Sequence, residues 1–270
     1  MKRILAIAVV AVAVLMLVRC DELVGDRPTN VELSAATDST VKVTWTAPAG
    51  SAPDKYVVKF KETGTATFVT LDDNVTATEY THDPAGKTGN YMVAAMFGST
   101  EYEALSAPTS APITTAATSV SELNAAGNSG YGWSTSTGAG ATYTMTDAGN
   151  AANVDFYITN FLAGYSGTPY SIASPDMGPN DPGGVVPTGS WKVNAFSNPV
   201  LDDQAPLPKY NQGVNYFNYT DIATDPTFVG CHTAAGYYAL VKLAGVNTGD
   251  GTVQVTTYFQ LVEGLRLVQH

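Results

Sequence analysis

From Pro28 to Thr115, apolar and polar residues alternate with a period of two. Val31 and Leu33 fall on one face of a first segment, and Val41, Val43 and Trp45 on one face of a second. Tyr56, Val58 and Phe60 do the same in a third, and Tyr91, Val93 and Ala95 in a later one. Successive side chains of a strand point to opposite faces, so this pattern predicts strands with one face on a core and the other in water. Turn formers punctuate the segments at Thr37-Asp38-Ser39, Pro48-Ala49-Gly50-Ser51 and Pro84-Ala85-Gly86. Short alternating strands with regular punctuation predict an antiparallel β-sandwich.

The chain divides near residue 116, and residues 118–270 predict a second β-rich domain. Strands are expected at Tyr143 to Thr146, Val154 to Thr159, Trp191 to Phe196, Val214 to Thr220, Tyr237 to Leu243 and Thr252 to Leu261. No helical stripe competes with them. Val253, Val255, Thr257, Phe259 and Leu261 define one face of the last strand, which pairs as a central hairpin with Tyr237 to Leu243 through the Gly245 to Gly251 turn region. Leu265 to Val268 continues it past a bulge or turn at Glu263-Gly264. The two halves do not repeat one another, and the closed form expected of such strands is a β-sandwich or jelly roll. The fold class is therefore all-β, with two sandwich-like domains. Between Ala163 and Gly189 lies an irregular stretch of 27 residues with five prolines and six glycines. Loops of that length are uncommon unless functional or disordered.

The N-terminus follows a different rule. Fifteen apolar residues, Ile4 to Val18, follow Lys2 and Arg3 and lead to Cys20. As a helix they would cover about 22 Å of a hydrocarbon core about 30 Å thick, which disfavours a permanent span. A basic start, a short apolar run and a terminal cysteine resemble the signal of a bacterial lipoprotein. The resemblance implies a signal peptide over residues 1–19, lipidation of Cys20 and a tether over residues 20–27. It places the protein outside the cytoplasm, lipid-anchored to a bacterial membrane, at the outer membrane or the cell surface.

Charge narrows the partners. Three of the 13 basic residues precede Cys20, so the remainder carries ten basic against 24 acidic residues, a formal net charge of −14. Nucleic acid is excluded as a partner, because phosphate binding needs clustered Lys and Arg. With Cys20 lipidated, Cys231 has no disulfide partner and is expected to be buried and inert. Folding must then rest on apolar cores.

Catalytic signals are absent from the sequence. There is no G-x-S-x-G elbow, H-E-x-x-H pair or phosphate-cradling glycine loop. The adjacent Asp202 and Asp203 lack the opposed placement of a glycosidase acid and base. Cys231-His232, with only His82 and His270 elsewhere, supplies no zinc spacing. The reading is a non-enzyme without a cofactor. Asp176, Asn180 and Asp181 are weak candidates for a calcium site, although their spacing fits no EF-hand and an acidic turn without metal is the plainer reading.

Aromatic residues in polar surroundings remain. Tyr131 and Trp133 lie in a Gly/Ser/Thr run, and Tyr210, Tyr216, Phe217 and Tyr219 alternate with Asn211, Gln212, Asn215 and Asn218. A pyranose face stacks on an aromatic ring while amides bond its hydroxyls. Trp133, Tyr216 and Asn218 are therefore the candidate ligand-binding residues, and Trp191, beside Val193, is assigned to the core. Ordinary cross-strand packing is the competing explanation for all of them.

The first domain resembles the fibronectin type III family. Pro28 stands at the start, Trp45 in V-x-V-x-W-x-x-P, Tyr56 at the head of the third strand and Tyr91 in Y-x-V-x-A. The resemblance covers residues 28–116 and implies a spacing or presenting module whose Trp45 and Tyr91 are core residues. Anchor, small spacer and outer β domain are similar in plan to glycan-binding lipoproteins of bacterial starch-utilisation systems. Three functions stay open. The first is a non-catalytic anchored lipoprotein whose spacer presents a ligand-binding or adhesion domain, with another surface protein as partner. The second is carbohydrate binding, with a glycan as partner, and the third is a haem- or metal-scavenging β lipoprotein.

Overall fold

The computed structural model describes residues 26–270, so the signal peptide, Cys20 and nearly all of the tether lie outside the described residues. It contains two compact units. The first holds residues 26–34, Lys42–His82 and Gly89–Thr109, and the second holds Ala35–Val41, Asp83–Thr88 and Ser110–His270.

In the first unit, β1 (Thr29–Ala35), β2 (Val41–Thr46) and β5 (Glu79–His82) form a three-stranded sheet in the order β1-β2-β5. A second sheet runs β4-β3-β6-β7, from β4 (Val69–Val75), β3 (Lys55–Glu62), β6 (Gly89–Phe97) and β7 (Thr100–Glu103). The expected alternation holds. Val41, Val43 and Trp45 are buried while Lys42 and Thr44 are half-buried and Thr46 is exposed. On the facing sheet Tyr56, Val58, Phe60, Tyr91, Val93 and Ala95 are buried. Trp45 meets Tyr56 edge-on, with ring centroids 5.2 Å apart. Tyr91 packs against Phe60 at 4.9 Å, and its hydroxyl is hydrogen-bonded to His82 Nδ1 at 3.0 Å. That bond satisfies a phenol whose burial pushes its pKa up.

The second unit is also a sandwich. One sheet has the order β11-β10-β12-β13-β16, built from β10 (Gly130–Trp133), β11 (Gly140–Tyr143), β12 (Phe156–Thr159), β13 (Ser171–Ala173) and β16 (Tyr219–Asp221). The other runs β15-β14-β17-β18-β19-β8, from β8 (Ile113–Thr114), β14 (Ala195–Val200), β15 (Tyr216–Phe217), β17 (Thr227–His232), β18 (Tyr238–Asn247) and β19 (Thr252–Phe259), with β9 (Thr118–Ser121) also pairing to β19. The hairpin read from the sequence is present, with Ala239 opposite Phe259 and Leu243 opposite Val255. Between the sheets lies a core that includes Phe156, Ile158, Ile172, Phe196, Val229, Val241, Val253 and Phe259.

Two further cores cover the outer faces of these sheets. Met145, Val154, Tyr157, Val186 and Trp191 pack together on the first, and Leu207, Tyr216, Tyr238, Leu240, Tyr258 and Val268 on the second. The structure departs from the sequence reading in several places; the strand expected over Trp191 to Phe196 starts at Ala195, and that over Val214 to Thr220 splits into β15 and β16 of different sheets. Residues 110–121 join the second unit, where β8 and β9 pair with β19, rather than linking two domains at residue 116. The strand expected over Tyr143 to Thr146 ends at Tyr143, and Met145 turns into an outer core. Leu265 to Val268 is buried irregular chain rather than a strand. The stretch from Ala163 to Gly189 contains β13 and a 3-10 helix, Pro175–Asn180, with Val186 and Trp191 buried beyond it. Apolar loops that cap a sheet replace water on its outer face, so strand alternation no longer marks what is buried.

Candidate functional site

The expected exposure of Trp133 and Tyr216 is not what the fold provides. Trp133 is 6% exposed, stacks on Phe259 at 5.2 Å and donates its indole N–H to Thr257 Oγ1 at 2.9 Å. The glycines around it serve close packing rather than a loop. A Cβ at Gly132 would lie 1.8 Å from the Asn153 carbonyl oxygen, and one at Gly140 would lie 1.7 Å from the Tyr131 hydroxyl. Tyr216 is fully buried, with its hydroxyl donating to Pro208 O at 3.2 Å. Asn218 is exposed, and its Oδ1 accepts from Gln212 Nε2 at 2.8 Å.

The calcium candidates are dispersed as well. Asp181 is buried, and one carboxylate oxygen accepts from the Tyr157 and Thr159 hydroxyls at 3.0 and 2.8 Å. Asp176 accepts from the Ser174 hydroxyl, and Asn180 is exposed at the end of its 3-10 helix. Asp181 thus ties strand β12 to the loop above it. Among the described residues no three His, Cys, Asp or Glu side chains converge on one point. Cys231 is fully buried between the sheets, and burial holds its thiol well above the usual range.

One residue further on, His232 falls on the opposite face of β17, and there the fold assembles a groove. Tyr210 lies parallel to the His232 ring, with centroids 3.9 Å apart and planes 11° apart, and is edge-on to Tyr216 at 5.4 Å. Tyr238 supports His232 from the side at 4.8 Å and accepts the Tyr210 backbone N–H through its hydroxyl at 3.3 Å. Burial lowers the His232 pKa, so the imidazole is uncharged at neutral pH. Tyr210 itself remains 36% exposed.

These rings border a cavity of about 240 Å³ that Val193, Asn194, Ala195, Gln212, Thr233 and Ala234 complete. Asn194 is fixed at its floor. Its amide nitrogen donates to Asp155 O at 2.7 Å and its Oδ1 accepts from Ala234 N at 2.7 Å. A second cavity, of about 260 Å³, shares Thr233 and Ala234 and holds the ion pair between Lys192 and the buried Asp155, 2.9 Å apart. A third, of about 390 Å³, lies beside Phe217, Tyr219 and Asp221. The first is distinctive because none of its side chains carries a charge at neutral pH. It offers a partly open tyrosine ring and the exposed Gln212 amide, which can stack on and hydrogen-bond an uncharged ligand.

Sequence reasoning found Tyr210 and Gln212 as part of the aromatic and amide run but dismissed His232 with the zinc spacing. Its signal was the period of two, which sends His232 away from the core residue Cys231.

Residues 26–112 match the family model for the fibronectin type III domain. The first unit is a fibronectin type III domain. Its match ends near where β8 leaves for the second unit. Among solved structures, the chain is similar to a Fn3-like protein from Clostridium thermocellum, at 27% identity over 28% of this chain and 85% of that one, with a TM-score of 0.25. It is also similar to an FN3 domain of human collagen XX, at 24% identity over 31% and 90% with a TM-score of 0.27. For the FN5 domain of Drosophila Lar the values are 17% identity, 32% and 94%, and 0.27. No curated protein matches the chain.

Proposed function

We propose that this is a non-catalytic, exported protein, lipid-anchored through Cys20, whose fibronectin type III domain accompanies a β domain that captures an uncharged carbohydrate at the Tyr210 groove. The observation that carries the reading is the uncharged lining: a partly exposed tyrosine backed by a stacked imidazole, with the exposed Gln212 amide beside it. Sugars are recognised by ring stacking combined with amide hydrogen bonds, and their hydroxyls need no formal charge opposite them. Fibronectin type III domains are generally non-catalytic modules, in keeping with a binding role. The anchor rests on the basic start and apolar run that end at Cys20.

Two measurements test this. Tyr210→Ala should abolish retention of the full chain on a polysaccharide array while keeping thermal stability within about 1 kcal/mol, as expected of a partly exposed position. An array on which the wild type retains nothing rejects carbohydrate capture. Metabolic labelling with a palmitate analogue should mark the wild type and not Cys20→Ser, and a labelled variant rejects the anchor.

A further inference from the structure

We infer that Asn74, on an edge strand of the fibronectin type III domain, is an acceptor for an N-linked glycan. The chain contains two Asn-x-Ser/Thr tripeptides whose middle residue is not proline, Asn74-Val75-Thr76 and Asn218-Tyr219-Thr220. Such a tripeptide can be modified only where a transferase reaches both the asparagine amide and the hydroxyl two residues on. The fold separates the two cases. At the second tripeptide both groups are already engaged. Asn218 Oδ1 accepts from Gln212 Nε2 at 2.8 Å. Thr220, opposite Ile172 in the sheet, is buried, and its hydroxyl donates to Ser197 O at 2.8 Å.

At the first tripeptide both groups are accessible. Strand β4 is the edge of its sheet, so one side of its backbone has no strand beside it. Its pairing with β3 also slips at this point. Val58 faces Asp72 and Tyr56 faces Val75, which leaves Asp73 and Asn74 opposite the single Val57 as a bulge. The Asn74 backbone N–H donates to Asp72 Oδ1 at 2.8 Å, and β4 ends at Val75, so Thr76 lies just beyond it. Asn74 and Thr76 are both exposed, and among the described residues neither side chain has a hydrogen-bond partner. The donor is a polyprenyl-pyrophosphate-linked oligosaccharide. Asn74 Nδ2 bonds to C1 of its first sugar as the bond from C1 to the pyrophosphate oxygen breaks; the pyrophosphate leaves with the electron pair and the amide gives up one proton. Modification of this kind belongs to exported chains, so in the cell it rests on the export proposed above. A glycan on a bulged edge also hinders the addition of another chain to that edge.

The test is transfer in vitro, with the folded full chain, a purified bacterial oligosaccharyltransferase and a polyprenyl-pyrophosphate oligosaccharide, read by intact-protein and peptide mass spectrometry. The wild type should gain the mass of one oligosaccharide, on the peptide that contains Asn74. Asn74→Gln and, independently, Thr76→Val should lose that gain while keeping the wild-type thermal transition, as substitutions at exposed positions do. Thr76→Ser, which keeps the hydroxyl, should retain the gain, and Asn218→Gln should leave it unchanged. A wild type that gains no oligosaccharide, or a gain that persists in Asn74→Gln, overturns the assignment. Because transfer in vitro needs no export, either result leaves the export reading to stand or fall on the labelling of Cys20.

Discussion

Trp45 and Trp133 are both buried aromatic residues on short strands, yet their surroundings obey different rules. In β2, buried Val41, Val43 and Trp45 alternate with residues that reach water, so one face of the strand is wet. In β10, all four residues from Gly130 to Trp133 are buried. The same holds for the whole of β12 and β13 and for β17 up to Cys231. The fibronectin type III unit closes one core between two sheets and keeps a wetter outer face along β2. The second unit adds an outer core to each sheet, capped by loops and by the C-terminal irregular chain. Hydrophobic alternation records the contrast between a dry face and a wet one, and it fades wherever both faces are dry.

The contrast can be broken most severely at Gly132. A Cβ there meets the Asn153 backbone carbonyl rather than a flexible side chain, so Gly132→Val should cost more than about 4 kcal/mol and abolish the second unit's unfolding transition in calorimetry. A stable Gly132→Val protein would mean that backbone contact is absent. Next come the two tryptophans. Trp45→Ala and Trp133→Ala should each cost about 3–5 kcal/mol, as truncations of core aromatics. The first should lower only the fibronectin type III transition and the second only that of the second unit. A cost below about 1 kcal/mol at Trp45 would show its strand register to be wrong, and a common transition for both would erase the distinction between the units.

The smallest effect concerns His232. Burial lowers its folded pKa, so the unfolded chain takes up its proton first as the pH falls. The stability associated with the neutral ring is fully present above the unfolded value of about 6.5 and is lost as the pH drops through the folded one. His232→Phe, which keeps a ring against Tyr210, should flatten the acid side of the stability curve and leave it unchanged above neutrality. Urea unfolding at a series of pH values checks this, and equal slopes in both proteins would show that His232 is solvated in the folded state.

Much of the first unit was legible because each of its signals is local. The period of two put Val41, Val43, Trp45, Tyr56, Val58 and Phe60 inside, and turn residues marked the breaks between strands. The β18–β19 hairpin was legible for the same reason, since its early residues keep a wet face: Gln254 is exposed between buried Val253 and Val255. Trp133 and Tyr216 were misjudged because glycine and amide neighbours resemble a solvated loop in sequence. Here glycine permits backbone approach, and the Tyr216 hydroxyl finds a carbonyl partner inside the protein.

Of the groove, composition identified the kind of residue and little of the arrangement. Tyr210, Gln212 and Asn218 belong to a run that the sequence marks as aromatic and polar. Which of them stays exposed depends on Asn194 and His232, which are 16 and 22 residues from Tyr210 and reach it only because β14 pairs with β17. The sequence by itself determined the all-β class, the fibronectin type III domain and the pairing of the last long hairpin, because these follow from periodicity and turn chemistry within a few residues. Only the tertiary structure decided which aromatics are core and which form a site, because that depends on what covers the outer face of each sheet, and the covering comes from chain far away in sequence.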